Sequence, residues 1–271
     1  MKQRLLVAAV GVPLLIVILV ILPPVATAIL TAAIAGAAAY ELLHTAGKRV
    51  PIPVYCVTVL CAALGVLAVA LSLDTALHVV RWALVMVLFL YAVLHFGNEE
   101  KALSFRDLAV ALVGGVVFPA LYGFLARLRN LGAAFVLMPF VVAFIGDSFS
   151  MLGGMAFGHR KFAPHVSPNK TWVGFIAGPV GSALGMALLA LVGKWLWQMD
   201  FPVWYLALIG VVANVFGQLG DLSTSLIKRE AGVKDYSHIF LTHGGVLDRF
   251  DSILFIAPVV YAMLYGLEAL A

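Results

Sequence analysis

The sequence predicts an all-α polytopic integral membrane protein of about nine transmembrane helices, with a polar cavity open to the cytoplasmic side, and composition speaks first. Of 271 residues, 63% are hydrophobic and 11% are charged, and the mean hydropathy is +1.08. That leaves too little polar surface to coat a soluble globule of this length. Several apolar runs also reach the roughly 20 residues that cross about 30 Å of hydrocarbon as a helix. The alternating segments of a membrane barrel, about ten residues each, are not seen.

Polar and Pro-rich breaks cut the chain into spans near 5–22, 25–43, 53–73, 81–97, 107–126, 132–157, 172–196, 203–227 and 252–270. The first follows Lys2 and Arg4 as a signal peptide would, but no small-residue cleavage site precedes Pro23-Pro24, so it reads as a retained span. Pro23-Pro24 predicts a tight outer hairpin, and Pro51 and Pro53 the next inner turn. Cys56 and Cys61, five apart in one span, point to different faces and read as small core residues. No Ser- or Gly-rich linker interrupts the chain, so residues 1–271 read as a single membrane domain. Its first 130 residues are expected to serve as scaffold and assembly, and residues 131–271 to carry the chemistry.

With a cytoplasmic N-terminus, only Arg81, Arg127, Arg129 and Lys194 of the 17 basic residues fall outside, which satisfies the positive-inside rule. The loops near 158–171 and 228–251 then share the cytoplasmic face and can build one site. The pI near 9.1 does not argue for nucleic acid, because the basic residues are scattered beside apolar spans.

The stretch from Ser225 to Asp251 concentrates charge of both signs between two apolar segments. Such a cluster is costly in hydrocarbon and implies a ligand, here a polyanionic, metal-bound one. On a helix, Asp221, Ser225 and Lys228 recur at i, i+4 and i+7 and share a face, with Asn214 seven residues further back on the same stripe. Asp248 and Asp251, at i and i+3, form a second carboxylate pair, with Arg249 turned aside. Magnesium takes few protein carboxylates plus substrate phosphates, which suits Asp221 and Asp248. The alternative is that each Asp neutralises a buried Lys or Arg. His243-Gly244-Gly245 supplies backbone that can approach a phosphate closely, and His243 is either a phosphate donor or a turn residue.

A second polar element holds Asp147, Ser150, Gly153 and Gly154, then His159-Arg160-Lys161 and Ser167-Pro168-Asn169-Lys170-Thr171. Asp147, deep in a span, either binds a cation or pairs with a basic residue. Residues 167–171 read as a Pro-containing turn with Lys170 near a helix start, where anions bind. Glu41 at a span end, and His44, His78 and His95, need no more than interfacial roles. The Trp and Tyr residues around 195–205 form an aromatic belt.

The run Ser225, Lys228-Arg229, Lys234-Asp235, Ser237, Phe240 and His243-Gly-Gly-Val-Leu-Asp-Arg-Phe-Asp251 resembles the signature of the phosphatidate cytidylyltransferases, or CDP-diacylglycerol synthases. Asp147-Ser148 and Ser167 to Trp172 are similar to that family's second conserved region. Leu241, where relatives carry Pro or a small residue, and Val173, where many carry Glu or Gln, depart from the pattern. The resemblance implies conversion of CTP and phosphatidate to CDP-diacylglycerol and pyrophosphate at the inner leaflet of the cell membrane, with Mg²⁺, a second cation being an open alternative, and often a homodimer. It implies that Asp221 and Asp248 hold metal, with Asp147 and Asp251 as further acidic positions. Lys228 and Arg229 join Asp221, Asp248 and Asp251 as catalytic candidates. Ser167, Lys170, Ser225, Lys234, Asp235, His243, Gly244, Gly245 and Arg249 are then candidates for holding substrate. A secondary transporter shares the intramembrane Asp and Gly-interrupted helices but would need an inverted repeat, which is not seen. A CTP-dependent lipid kinase would transfer phosphate instead of cytidylyl.

Overall fold

A computed structural model describes residues 11–239 and 244–268. Readings that rest on Lys2, Arg4, Phe240, Leu241 and His243 therefore lie outside the described residues. Ten helices follow in order: α1 (Gly11–Ile21), α2 (Pro24–Ala46), α3 (Ile52–Ala70), α4 (Asp74–Leu94), α5 (Phe105–Leu112), α6 (Phe118–Leu131), α7 (Ala133–Phe157), α8 (Trp172–Trp197), α9 (Val203–Glu230) and α10 (Leu247–Glu268). Among the described residues, seven helical segments are long and apolar enough to cross a membrane, with α5 and α6 counted as one through the π-helical turn Val113–Val117. The chain is an all-α polytopic membrane protein.

Several boundaries differ from expectation, α6 for instance ending at Leu131 and not near 126. Helix α4 begins at Asp74, where an acid in the first turn meets the partial positive charge of the helix start. Helix α10 begins at Leu247, so Asp248 and Asp251 are helical and not part of a preceding loop. Residues 167–171 are not a simple turn either. Strand β1 (Lys161–Ala163) pairs antiparallel with β2 (Ser167–Thr171), Lys161 opposite Thr171 and Ala163 opposite Ser167.

The chain divides into two compact units, Met1–Asn130 with Ile227–Phe250, and Leu131–Leu226 with Asp251–Ala271. In the first, α2 is the buried centre, and its Ala28, Ala32, Ala35, Ala38 and Ala39 let neighbouring helices approach closely. The π-helical turn brings Gly114 against the Ala39 backbone, where an added Cβ would sit 3.4 Å from Ala39 Cα. Leu43, Val54, Leu84, Leu88 and Leu108 complete that core. Helix α4 buries only Leu77, Leu84 and Leu88, a single stripe, and its remaining apolar surface suits lipid.

In the second unit α7 and α8 form a tight hairpin across β1 and β2. Gly174, Gly178 and Ser182 recur every four residues on α8, the small-residue spacing of close membrane helices. A Cβ at Gly174 would lie 2.6 Å from the Ser150 carbonyl oxygen, and one at Gly185 2.6 Å from Ile145 Cδ1. Thr171 ends the hairpin and caps α8, its Oγ1 accepting from Gly174 N at 3.1 Å. Phe162 on β1 stacks on Phe175 and meets Trp172 edge to face, with ring centroids 4.5 and 4.6 Å away.

Candidate active site

The polar residues singled out above gather into two centres, one in each unit. In the second unit, a cavity of about 570 Å³ opens beside the β hairpin. Asp147, Ser150, Lys161, Asn169, Lys170 and Gln218 give it a polar lining, and Met151, Met155, Phe162 and Phe175 an apolar one. Its size falls in the usual range for small-molecule sites, about 300–1,000 Å³. Lys170 reaches from β2 to Asp221 on α9, Nζ to Oδ2 2.5 Å, and both side chains are partly exposed, at 25% and 32%. Asp221 Oδ1 accepts from Ser225 Oγ at 3.2 Å one turn on, as the i, i+4 spacing requires.

Beneath the cavity a buried amide ladder ties three helices together. Gln218 Nε2 donates to Asn214 Oδ1 at 2.8 Å and to the Phe175 carbonyl at 3.0 Å. Ser182 Oγ donates to the Val142 carbonyl at 2.8 Å, which Asn214 Nδ2 also approaches at 3.4 Å. Ser150 contributes to the cavity wall, but its Oγ is covered, lies against Gly178 in the α7–α8 seam and has no hydrogen-bond partner among the described residues. Ser167 opens β2 half-buried. Asp147 is exposed on the cavity wall, whereas Asp251 is buried, its Oδ1 accepting from Ser252 N at 2.7 Å and its Oδ2 lying 3.4 Å from Thr224 Oγ1. These partners give Asp251 a part in fastening α10 to α9 where Gly220 lets the backbones meet: a Cβ there would lie 3.0 Å from the Asp251 carbonyl.

In the first unit, Lys228 Nζ meets Asp248 Oδ1 at 2.6 Å, and the pair is nearly dry, with side chains 9% and 3% exposed. The other Asp248 oxygen accepts two backbone amides, Tyr236 N and Gly245 N, each at 2.8 Å. The Tyr236 ring lies 5.4 Å from the Lys228 ammonium and adds cation–π attraction. Gly244 has φ +78°, and a Cβ there would come 2.7 Å from Asp248 Oδ2, so the first signature glycine is required both by its left-handed backbone and by the carboxylate beside it. Arg229 is exposed and donates to the Val233 carbonyl at 3.0 Å, closing the end of α9. Lys234 and Arg249 are exposed, and Asp235 is half-buried.

Sequence reasoning had named both aspartates and both lysines but not who holds whom. It gave Glu41 an interfacial role, whereas Glu41 is fully buried. It assigned nothing to Gln218, although a Gln within an apolar span seven residues from Ser225 is a legible signal. Among the described residues no three His, Cys, Asp or Glu side chains converge on a common point. A cation held here would take most of its shell from water and substrate oxygens, which magnesium accepts and zinc or calcium sites usually do not. The partly exposed Asp221 offers hard oxygen donors that fit that ion, whereas both oxygens of the nearly dry Asp248 are already taken by Lys228 and two backbone amides.

A family model described as "Cytidylyltransferase family" matches residues 2–267. Curated relatives named phosphatidate cytidylyltransferase include one from Bacillus subtilis, 36% identical over 183 residues covering 66% of this chain and 65% of the relative. One from Staphylococcus saprophyticus is 33% identical over 209 residues, covering 75% and 77%, and one from Staphylococcus haemolyticus is 34% identical over 182 residues, covering 67% of each. The match to the Bacillus protein thus spans just under two thirds of its length. The chain belongs to the cytidylyltransferase family.

Proposed function

We propose that this member of the cytidylyltransferase family is a phosphatidate cytidylyltransferase, a nucleotidyltransferase that converts CTP and phosphatidate to CDP-diacylglycerol and pyrophosphate in phospholipid synthesis. The observation that carries the reading is the full-length family match together with a Lys–Asp pair beside a cavity of substrate size. The lipid phosphate oxygen attacks the α-phosphorus of CTP in line. The new P–O bond forms as the bond from the α-phosphorus to the bridging oxygen breaks, and pyrophosphate leaves with that electron pair. No general base is needed, because a phosphate monoester with a second pKa of about 6 is already largely dianionic at neutral pH.

The obstacle is repulsion between two anions, and the chain's own cations answer it. Lys170 and Lys161 offer ammonium groups to phosphate at the cavity, and Asn169 offers neutral hydrogen bonds. Lys228, fixed by Asp248, and the exposed Arg229, Lys234 and Arg249 supply further positive charge. Magnesium, with Asp221 as a protein ligand at the cavity, would screen the phosphates and stabilise the leaving pyrophosphate, whereas Asp248 would have to release Lys228 before it could hold a cation. Asp147 on the cavity wall is the candidate carboxylate for a second cation.

In this reading α1 and α10 cross the bilayer in addition to the seven segments named above, for nine spans in the inner membrane, and the basic loops face the cytoplasm. CTP then arrives from water while phosphatidate keeps its acyl chains in lipid. The chain acts as one membrane domain, residues 1–130 mainly as scaffold, and assembles as a homodimer.

The test incubates purified protein in detergent with phosphatidate, Mg²⁺ and CTP labelled separately on cytidine and on the γ-phosphate. Cytidine label in lipid, with γ-label released as pyrophosphate, is the expected result. Label from the γ-phosphate in lipid would instead make the protein a kinase, and no lipid label under any divalent metal would reject both.

A further inference from the structure

Glu41 lies on α2, about two hundred positions before the signature loop in sequence, and has 0% exposure. A carboxylate so placed in an apolar span is costly unless donors surround it. Three do: Ser237 Oγ donates to Oε1 at 2.6 Å, Val246 N to Oε1 at 2.9 Å and Leu247 N to Oε2 at 2.7 Å. Leu247 is the first residue of α10, so Glu41 satisfies amide groups at a helix start that normally lack partners, as an N-cap contributed by a distant helix.

The same carboxylate explains the second signature glycine. A Cβ on Gly245 would land 2.6 Å from the Glu41 carboxyl carbon, closer than real side chains approach. The next helical residue after Leu247 is Asp248, whose Oδ2 takes the Gly245 amide and whose Oδ1 takes Lys228. One turn along α2, Thr45 Oγ1 lies 3.4 Å from the carbonyl of Tyr236, the residue whose amide also serves Asp248. Helix α2 therefore holds the loop between Lys228 and Asp248 at two places, near Tyr236 and at Val246–Leu247.

We propose that Glu41 is a positioning residue for the transferase site: it touches no substrate, but sets the backbone of Val246 and Leu247 and so the place of Asp248 and Lys228. The inference rests on the functional reading above, yet part of its test does not. Glu41→Gln keeps shape and volume while turning one acceptor into a donor that faces donors. Expected are a normal elution profile in detergent, a drop of about 100-fold in kcat, the scale of a misplacement near 1 Å, and little change in the KM of either substrate. Hydrogen exchange at Val246 and Leu247 should accelerate, while a peptide within α8 keeps wild-type protection. Gly245→Ala should cost about as much as Glu41→Gln in the wild-type background, but little more when added to Glu41→Ala, because the carboxylate it strikes is gone.

Wild-type kcat and protection in Glu41→Gln would overturn the proposal, as would additive losses for Gly245→Ala and Glu41→Ala. A Glu41→Gln protein that does not fold would make Glu41 a general folding element and equally reject the specific role. If the wild-type enzyme itself transfers no cytidylyl group, the functional reading fails, while the exchange experiment still decides whether Glu41 holds the loop.

Discussion

Two lysine–aspartate pairs of nearly equal length, Lys170–Asp221 at 2.5 Å and Lys228–Asp248 at 2.6 Å, are built for different work. The first is a quarter to a third exposed, its lysine lines a cavity, and its carboxylate also accepts from Ser225 Oγ. The second is almost dry, and its carboxylate is held by two amides as well as by its lysine. An ion pair in contact with water can exchange partners at little cost, because water stabilises each charge when they part. A dry pair cannot, since either charge left alone meets a full desolvation penalty. The comparison teaches that the cavity pair suits handing a lysine from carboxylate to substrate phosphate, and the dry pair suits fixing a charge in place.

The contrast is broken most severely at the dry pair. Lys228→Met leaves the Asp248 carboxylate buried without its cation and should cost about 3–5 kcal/mol of stability, with turnover lost. Thermal unfolding in detergent measures this, and a melting temperature equal to wild type would show that the pair is not dry in solution. Lys170→Met, by contrast, should cost at most about 1 kcal/mol of stability and act on turnover and the KM for CTP. Equal destabilisation by the two variants would erase the distinction.

Next in size is Asp221→Asn, which keeps the side-chain shape but removes the charge. A loss of about 10²–10³ in kcat is expected, together with a higher Mg²⁺ concentration for half-maximal activity. An unchanged magnesium titration would remove Asp221 from the proposed ion's shell. A smaller effect, on packing alone, is expected from Gly181→Ala, whose Cβ would meet Phe149 Cβ at 2.5 Å across the α7–α8 seam. It should lower stability by about 1–3 kcal/mol, while the KM values stay put; a neutral result would mean that the seam is looser than drawn. The smallest change is Ser150→Ala. Its hydroxyl is covered and unpartnered, so its removal should leave both KM values unaltered and stability unchanged or slightly raised; a raised KM would show that the hydroxyl reaches a substrate.

Much of this was legible in the chain. Seven of the expected spans reappear as long apolar helices among the described residues because hydrophobic run length and Pro breaks are local properties, and a helix satisfies its own backbone in hydrocarbon wherever its neighbours lie. The departures arose where local cues compete. Asp74 starts α4 early because a charged residue at a helix start is favourable even at the edge of a span. Residues 161–171 form a hairpin because their ladder and the Phe162–Trp172–Phe175 stack exist only once the strands pair. The stripe of Asp221, Ser225 and Lys228 was foreseen from spacing, but the structure distributes it: Asp221 binds Ser225 and Lys170, and Lys228 binds Asp248.

The sequence by itself determined the class of protein, the order of its helices and the residue types of its chemistry, since each follows from hydropathy, breaks and spacing over short stretches. Tertiary structure alone decided the pairing of charges, the cavity beside β1 and β2, and the reason for two signature glycines. Those depend on approach between segments far apart in the chain: Gly245 is confined by Glu41, and the Ser150 hydroxyl is enclosed against Gly178 by the close seam of α7 and α8. A carboxylate read alone in an apolar helix has the same letters whether it anchors a headgroup or caps a distant helix, and only the donors brought to it by folding tell the two apart.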